Sequence, residues 1–128
     1  MSANPQRVLS WFEIPVADID RATRFYEAAL DTKLHREQLG TETIAVFAYD
    51  QPCTGGCLIE RGDHQPALDG ATLYLNATPN VDAALARIER AGGKTQGPAV
   101  QLPNDIGYIA FFTDSEGNRI GLHSPANG

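Results

Sequence analysis

The chain nearly repeats itself. Two stretches of roughly fifty residues each run strand, helix, strands in the same order, and a period of that length limits the folds open to it. The first opens on the alternating run Val8-Leu9-Ser10-Trp11-Phe12-Glu13-Ile14. A helical pattern follows over residues 19–30, then strand-like runs over 43–49 and 56–60. The second opens on Ala71-Thr72-Leu73-Tyr74-Leu75-Asn76, continues with a helical pattern over 81–91, and closes on strand-like runs over 107–113 and 119–123. In a chain of 128 residues neither half alone buries a good core, so the two are expected to fold as one unit.

Each helix has a physical reason. Asp18 is placed to accept from the first exposed amides, and Ile19, Ala22, Tyr26, Ala29 and Leu30 then fall on one stripe. In the second half Asn80 is the cap, Val81, Ala84, Leu85, Ile88 and Ala91 are the stripe, and Gly92-Gly93 is the stop. The strands rest on alternation. Phe12, Ile14 and Val16 share one face and Trp11 and Glu13 the other; Leu73, Leu75 and Ala77 share one face and Thr72, Tyr74 and Asn76 the other. The aliphatic faces suit the helices. The opposite faces meet solvent or line a cavity, and a Trp beside a Glu favours the cavity. Ser115-Glu116-Gly117-Asn118 reads as a turn in which Gly117 supplies positive φ and Asn118 tolerates it. Residues 62–70 read as the linker between halves, and 97–104, with Pro98 and Pro103, as an exposed loop.

The two ends of this pattern resemble a known superfamily. Trp11-Phe12-Glu13-Ile14-Pro15-Val16-Ala17-Asp18, followed by a helix bearing Phe25-Tyr26, looks like its opening signature. Phe111-Phe112-Thr113-Asp114-Ser115-Glu116-Gly117-Asn118-Arg119-Ile120-Gly121-Leu122 looks like its closing one. The superfamily is that of glyoxalases, bleomycin-resistance proteins and extradiol dioxygenases, the vicinal oxygen chelate group. The sequence looks closer to a glyoxalase-related branch that opens W-F-E-I-P-V and ends G-N-x-I-G-L. The resemblance implies an α+β fold: two βαβββ modules, here 8–61 and 71–124 within a single domain 1–128, forming a curved, funnel-like mixed sheet with the helices outside. It also implies a homodimer, and in metal-using members His or Glu ligands on the first and last strand of each module. Carried over, those positions fall on Trp11, Thr72, Gly121 and either Gly56 or Cys57. Trp and Gly have no side-chain donor for a metal and Thr is a poor one, so no metal ligand is assigned. The expectation is a metal-independent protein with no cofactor.

What remains on the funnel face is ordinary chemistry. Glu13 is a candidate general base or a partner for a cationic group, and otherwise a carboxylate tied to a neighbouring strand. Tyr74, its counterpart in the repeat, is a candidate hydrogen-bond donor. His123 shares a strand face with Gly121 and is a second candidate base; one His does not make a metal site. Trp11 offers a flat platform for a heteroaromatic ligand, or plugs the old metal position. Asn76, Cys57 and Thr72 are weaker lining candidates. His35 and His64 read as surface residues. Cys53 and Cys57 are too few for a disulfide-stapled domain and lack the second pair of a zinc site, so they read as reduced thiols of a cytoplasmic protein.

Charge and hydropathy exclude other partners. Sixteen acidic residues against ten basic give a net charge of −6, which argues against nucleic acid and anionic membranes. No apolar run approaches the ~20 residues of a membrane span, and residues 1–7 are polar, with no leader or lipidation motif expected. The leading expectation is a protein that holds a small molecule in its funnel. The alternatives are a lyase or isomerase using Glu13, and a non-catalytic dimeric subunit or regulator.

Overall fold

The computed structural model describes residues 9–50 and 53–127. The start of the first repeat at Val8, and residues 1–7, where no leader is expected, lie outside the described residues. The first half gives β1 (Trp11–Pro15), α1 (Ile19–Leu30), β2 (Leu34–Leu39), β3 (Glu42–Phe47) and β4 (Gly55–Ile59). The second gives β5 (Tyr74–Asn76), α2 (Val81–Arg90), β6 (Lys94–Thr95), β7 (Val100–Leu102), β8 (Gly107–Thr113) and β9 (Arg119–Ser124). One sheet has the order β1-β4-β3-β2 and the other β5-β9-β8-β6, with β7 also on β8. In each half the first strand lies parallel to the last, and the remaining pairings are antiparallel. This is the α+β architecture of two βαβββ modules.

Both helices start as their caps dictate. The Asp18 carboxylate accepts from the amides of Asp20 and Arg21, and the Asn80 side chain accepts from Ala83. α1 stops at Asp31, which is itself left-handed (φ 51°), and α2 stops at Ala91 before Gly92 (φ 99°). The stripes then meet in one core shared by the two halves: Ile14, Val16, Phe25, Tyr26 and Leu58 from the first, Leu75, Val81, Ile88, Phe112 and Leu122 from the second. Burying a large apolar side chain contributes about 2 kcal/mol relative to leaving it in water. The helices pack side by side over this core.

Three expectations are corrected. The exposed loop over 97–104 contains β7, which pairs antiparallel with β8. Asn118 does not share the positive φ of Gly117 (96°); it is buried, and its side chain donates to the Pro15 carbonyl and accepts from the Ala67 amide. His64, expected at the surface, is half-buried, bridges to Arg61 across the linker, and stands 3.5 Å from the Arg61 guanidinium. β2, which the reading of strands passed over, forms the edge of the first sheet.

Candidate functional site

The register fixes which positions the repeat makes equivalent. Ile14 pairs with Leu58 and Leu75 pairs with Leu122, all four in the core. One residue earlier, Glu13 pairs with Cys57 and Tyr74 with Gly121. The last-strand position of the first module is therefore Cys57, and the four positions to which the resemblance carries metal ligands are Trp11, Cys57, Thr72 and Gly121. Gly56 is on the opposite face, where the Phe12 ring covers it. Among the described residues no three His, Cys, Asp or Glu side chains cluster as metal ligands. Cys57 is the one strong donor of the four, and it is fully buried. Burial, then the nearby Glu13 charge, pushes its thiol up to about 11, against opposing pulls from a Trp11 hydrogen bond and the Arg61 charge. The residues present do not fit a metal.

On the first sheet, Trp11 remains 41% exposed and meets Tyr49 edge-on, ring centres 6.1 Å apart. Glu13 is half-buried and stands 3.6 Å from the Arg61 guanidinium, which Asp63 holds more closely at 2.6 Å. On the second sheet, the Tyr74 ring lies over Gly121, where a Cβ would come within 2.5 Å of it, and remains 48% exposed. Asn76 is engaged locally: its Oδ1 accepts from the Thr78 amide and hydroxyl. His123 Nε2 stands 2.6 Å from the Ile106 carbonyl, an acceptor, so that nitrogen carries the proton. Thr72 is half-buried, and His35 is an exposed residue 3.7 Å from Glu37.

Two clefts open where the modules meet. One, of about 390 Å³, is lined by Leu9, Phe12, Phe47, Tyr49, Tyr74 and Asn76 among others. The other, of about 300 Å³, takes in Glu13, His64, Asp69 and Arg119. Phe12 and Leu73 line both, so the clefts are the two ends of one seam between β1 and the approach to β5. The structure thus brings Tyr74 and Asn76 to the apolar end and Glu13 to the polar end. Trp11 stands beside Cys57 on the first sheet, and His123 is turned to the Ile106 carbonyl. The sequence reading missed Tyr49, Arg61 and Arg119. Arg119 had a signal: two residues before Gly121, it shares the alternation of Gly121 and His123. Arg61 had none, since it lies past the end of β4, where no period runs.

This architecture has known counterparts. The chain is similar to TnmS3, an antibiotic binding protein from Streptomyces sp. CB03234, at 30% identity and TM-score 0.70, covering 96% of this chain and 99% of that one. A glyoxalase/bleomycin resistance protein from the same organism is 31% identical at TM-score 0.69, over 91% and 99% of the two chains. A glyoxylase-like domain-containing protein of Didymella fabae is 27% identical over 116 residues, 86% of this chain and 88% of that one. Matched over residues 8–122, the chain belongs to the Glyoxalase/Bleomycin resistance protein/Dioxygenase superfamily.

Proposed function

We propose that this protein binds a small, planar, largely apolar molecule without the help of a metal ion. The observation that carries the reading is the occupancy of the four inherited metal positions by Trp11, Cys57, Thr72 and Gly121, of which two have no side-chain donor and one is a buried, protonated thiol. Aromatic surface stands in their place. Trp11 and Tyr74 are large rings left about half exposed; Tyr74 lines a cleft of about 390 Å³, a volume suited to a small organic ligand, and Trp11 meets Tyr49, another of its lining residues, edge-on. The similarity to a protein described as antibiotic binding supports a small-molecule ligand. The same reading takes the chain as a homodimer of the cytoplasm, checked by light scattering on the eluted protein. The binding test uses protein dialysed against a chelator. Heteroaromatic compounds should perturb the fluorescence of Trp11, the single tryptophan. A broad panel that leaves the emission unchanged contradicts the reading.

A second reading rests on Glu13. Its carboxylate lines the polar cleft, and its ion-pair partner Arg61 is held more closely by Asp63. A ligand's proton or cationic group can compete for it, as a lyase or isomerase would require. Glu13→Gln should then abolish turnover of any substrate found while leaving the fold intact.

A further inference from the structure

The face of the second sheet turned away from the core carries aromatic, basic and polar side chains. By register and alternation, Tyr74, Gly121 and Phe111 form its middle row. Arg119 and Thr113 flank that row on one side, His123, Asn76 and Ile109 on the other. None of these carries a negative charge, in a chain with sixteen acidic residues. At its centre Gly121 has no side chain, and the Tyr74 ring settles onto it. Phe111 joins the two groups that matter. The Tyr74 ring meets it edge-on at 5.7 Å between centres, and the Arg119 guanidinium stacks over it with Cζ 4.1 Å from the centroid.

Arg119 is held but not neutralised. Its Nε donates to the Gln96 side chain at 3.3 Å, and among the described residues neither terminal amine of the fork has a hydrogen-bond partner. Among the described residues no carboxylate lies within ion-pair distance of it, as for Arg24, Arg87 and Arg90, whereas Arg21 and Arg36 each have one and Arg61 has two. The carboxylates that share the polar cleft with it, Glu13 and Asp69, stand on β1 and the linker, and Glu13 faces Arg61. A guanidinium fixed on an aromatic face, with its fork open and an exposed ring one neighbour away, matches a planar acid. The ring stacks on Tyr74 and the carboxylate takes the two terminal N–H groups side by side.

We propose that this face is a recognition site for an aromatic carboxylate, with Arg119 as the anion partner and Tyr74 as the stacking platform. The proposal names the ligand class of the binding function above and rests on that reading. Calorimetric titration of the chelator-dialysed protein with 2-naphthoate and 2-naphthamide tests it, since the two probes share a ring system and differ in charge. The naphthoate is expected to bind about tenfold more tightly, with an affinity that falls as salt is raised. Arg119→Gln should remove that advantage and leave naphthamide binding unchanged, which also checks the fold of the variant. Arg119→Lys, with charge but no fork, should fall between. Equal affinity of the wild-type protein for the two probes overturns the anion site and leaves the apolar reading standing. Failure of both probes to bind the wild-type protein overturns both.

Discussion

Glu116 ties the second module to the first with a single side chain. Its carboxylate is fully covered, accepts from the backbone amides of Ala17 and Asp18, and forms a two-point contact with Arg21 at 2.8 Å. Burial raises its pKa, but hydrogen bonds from Arg21, Ser115 and the two amides outweigh that and hold it at about 2, below the ordinary 4.5. A depressed carboxyl pKa stabilises the fold fully above the unfolded value and loses that contribution as pH falls through the folded one. Glu116→Gln is therefore expected to cost about 2 kcal/mol in urea unfolding at neutral pH. The gap to wild type should close between pH 4.5 and about 2. A gap that stays constant across that window contradicts the assignment. In the sequence Glu116 was legible only as a turn residue, because its partners lie nearly a hundred positions away and no local pattern encodes them. The cysteines give a second prediction at this scale. Cys53 is exposed, and Cys57 is buried with its thiol raised to about 11. At pH 8 a disulfide reagent should label one thiol quickly and the second only on unfolding; two fast thiols would show that Cys57 is open to solvent.

At the scale of elements, the strands that flank the site are shaped by glycines. Gly56 on β4 and Gly121 on β9 each lie under an aromatic ring of the neighbouring strand, Phe12 and Tyr74 respectively. Phe12 is packed against the core, so Gly56→Ala is expected to cost about 1–3 kcal/mol, read by denaturant midpoint. Tyr74 is half exposed and can swing outward. Gly121→Ala should therefore cost little stability while weakening the binding of aromatic probes; a large stability loss with unchanged binding would show that Tyr74 is structural. The helices and their caps were legible, since capping and a 3.6-residue period are local rules, though the expected α1 stripe left out Phe25, which is buried in the core, and took in Leu30, which is only partly buried. The missed strands were not. β2 reads Leu34-His35-Arg36-Glu37-Gln38-Leu39, polar as an edge strand can be, and β7 sits two residues past Gly97-Pro98, which masks it as a loop.

For the whole molecule, the fold could be read because the opening and closing signatures sit at the two ends of a repeat. The candidate site could be read only in part. Alternation placed Glu13, Tyr74 and Gly121 on the correct faces, but the seam that divides them between two clefts depends on how one sheet sits against the other. That placement comes from the shared core and from the contacts of Glu116 and Asn118 with the first module, and it predicts one cooperative transition. Trp11 fluorescence, which reports the first module, and far-ultraviolet dichroism, which reports both, should give superimposable unfolding curves. Separate midpoints would mean that the modules unfold independently. The proposed function depends on metal-free binding to aromatic surface at the positions where the resemblance places metal ligands. It is tested most directly by measuring the divalent metal content of the purified protein, then titrating the chelator-dialysed chain with 2-naphthoate before and after adding divalent ions. The account predicts substoichiometric metal and the same affinity in both titrations. One tightly held ion per chain, whose removal abolishes binding and whose return restores it, would contradict it.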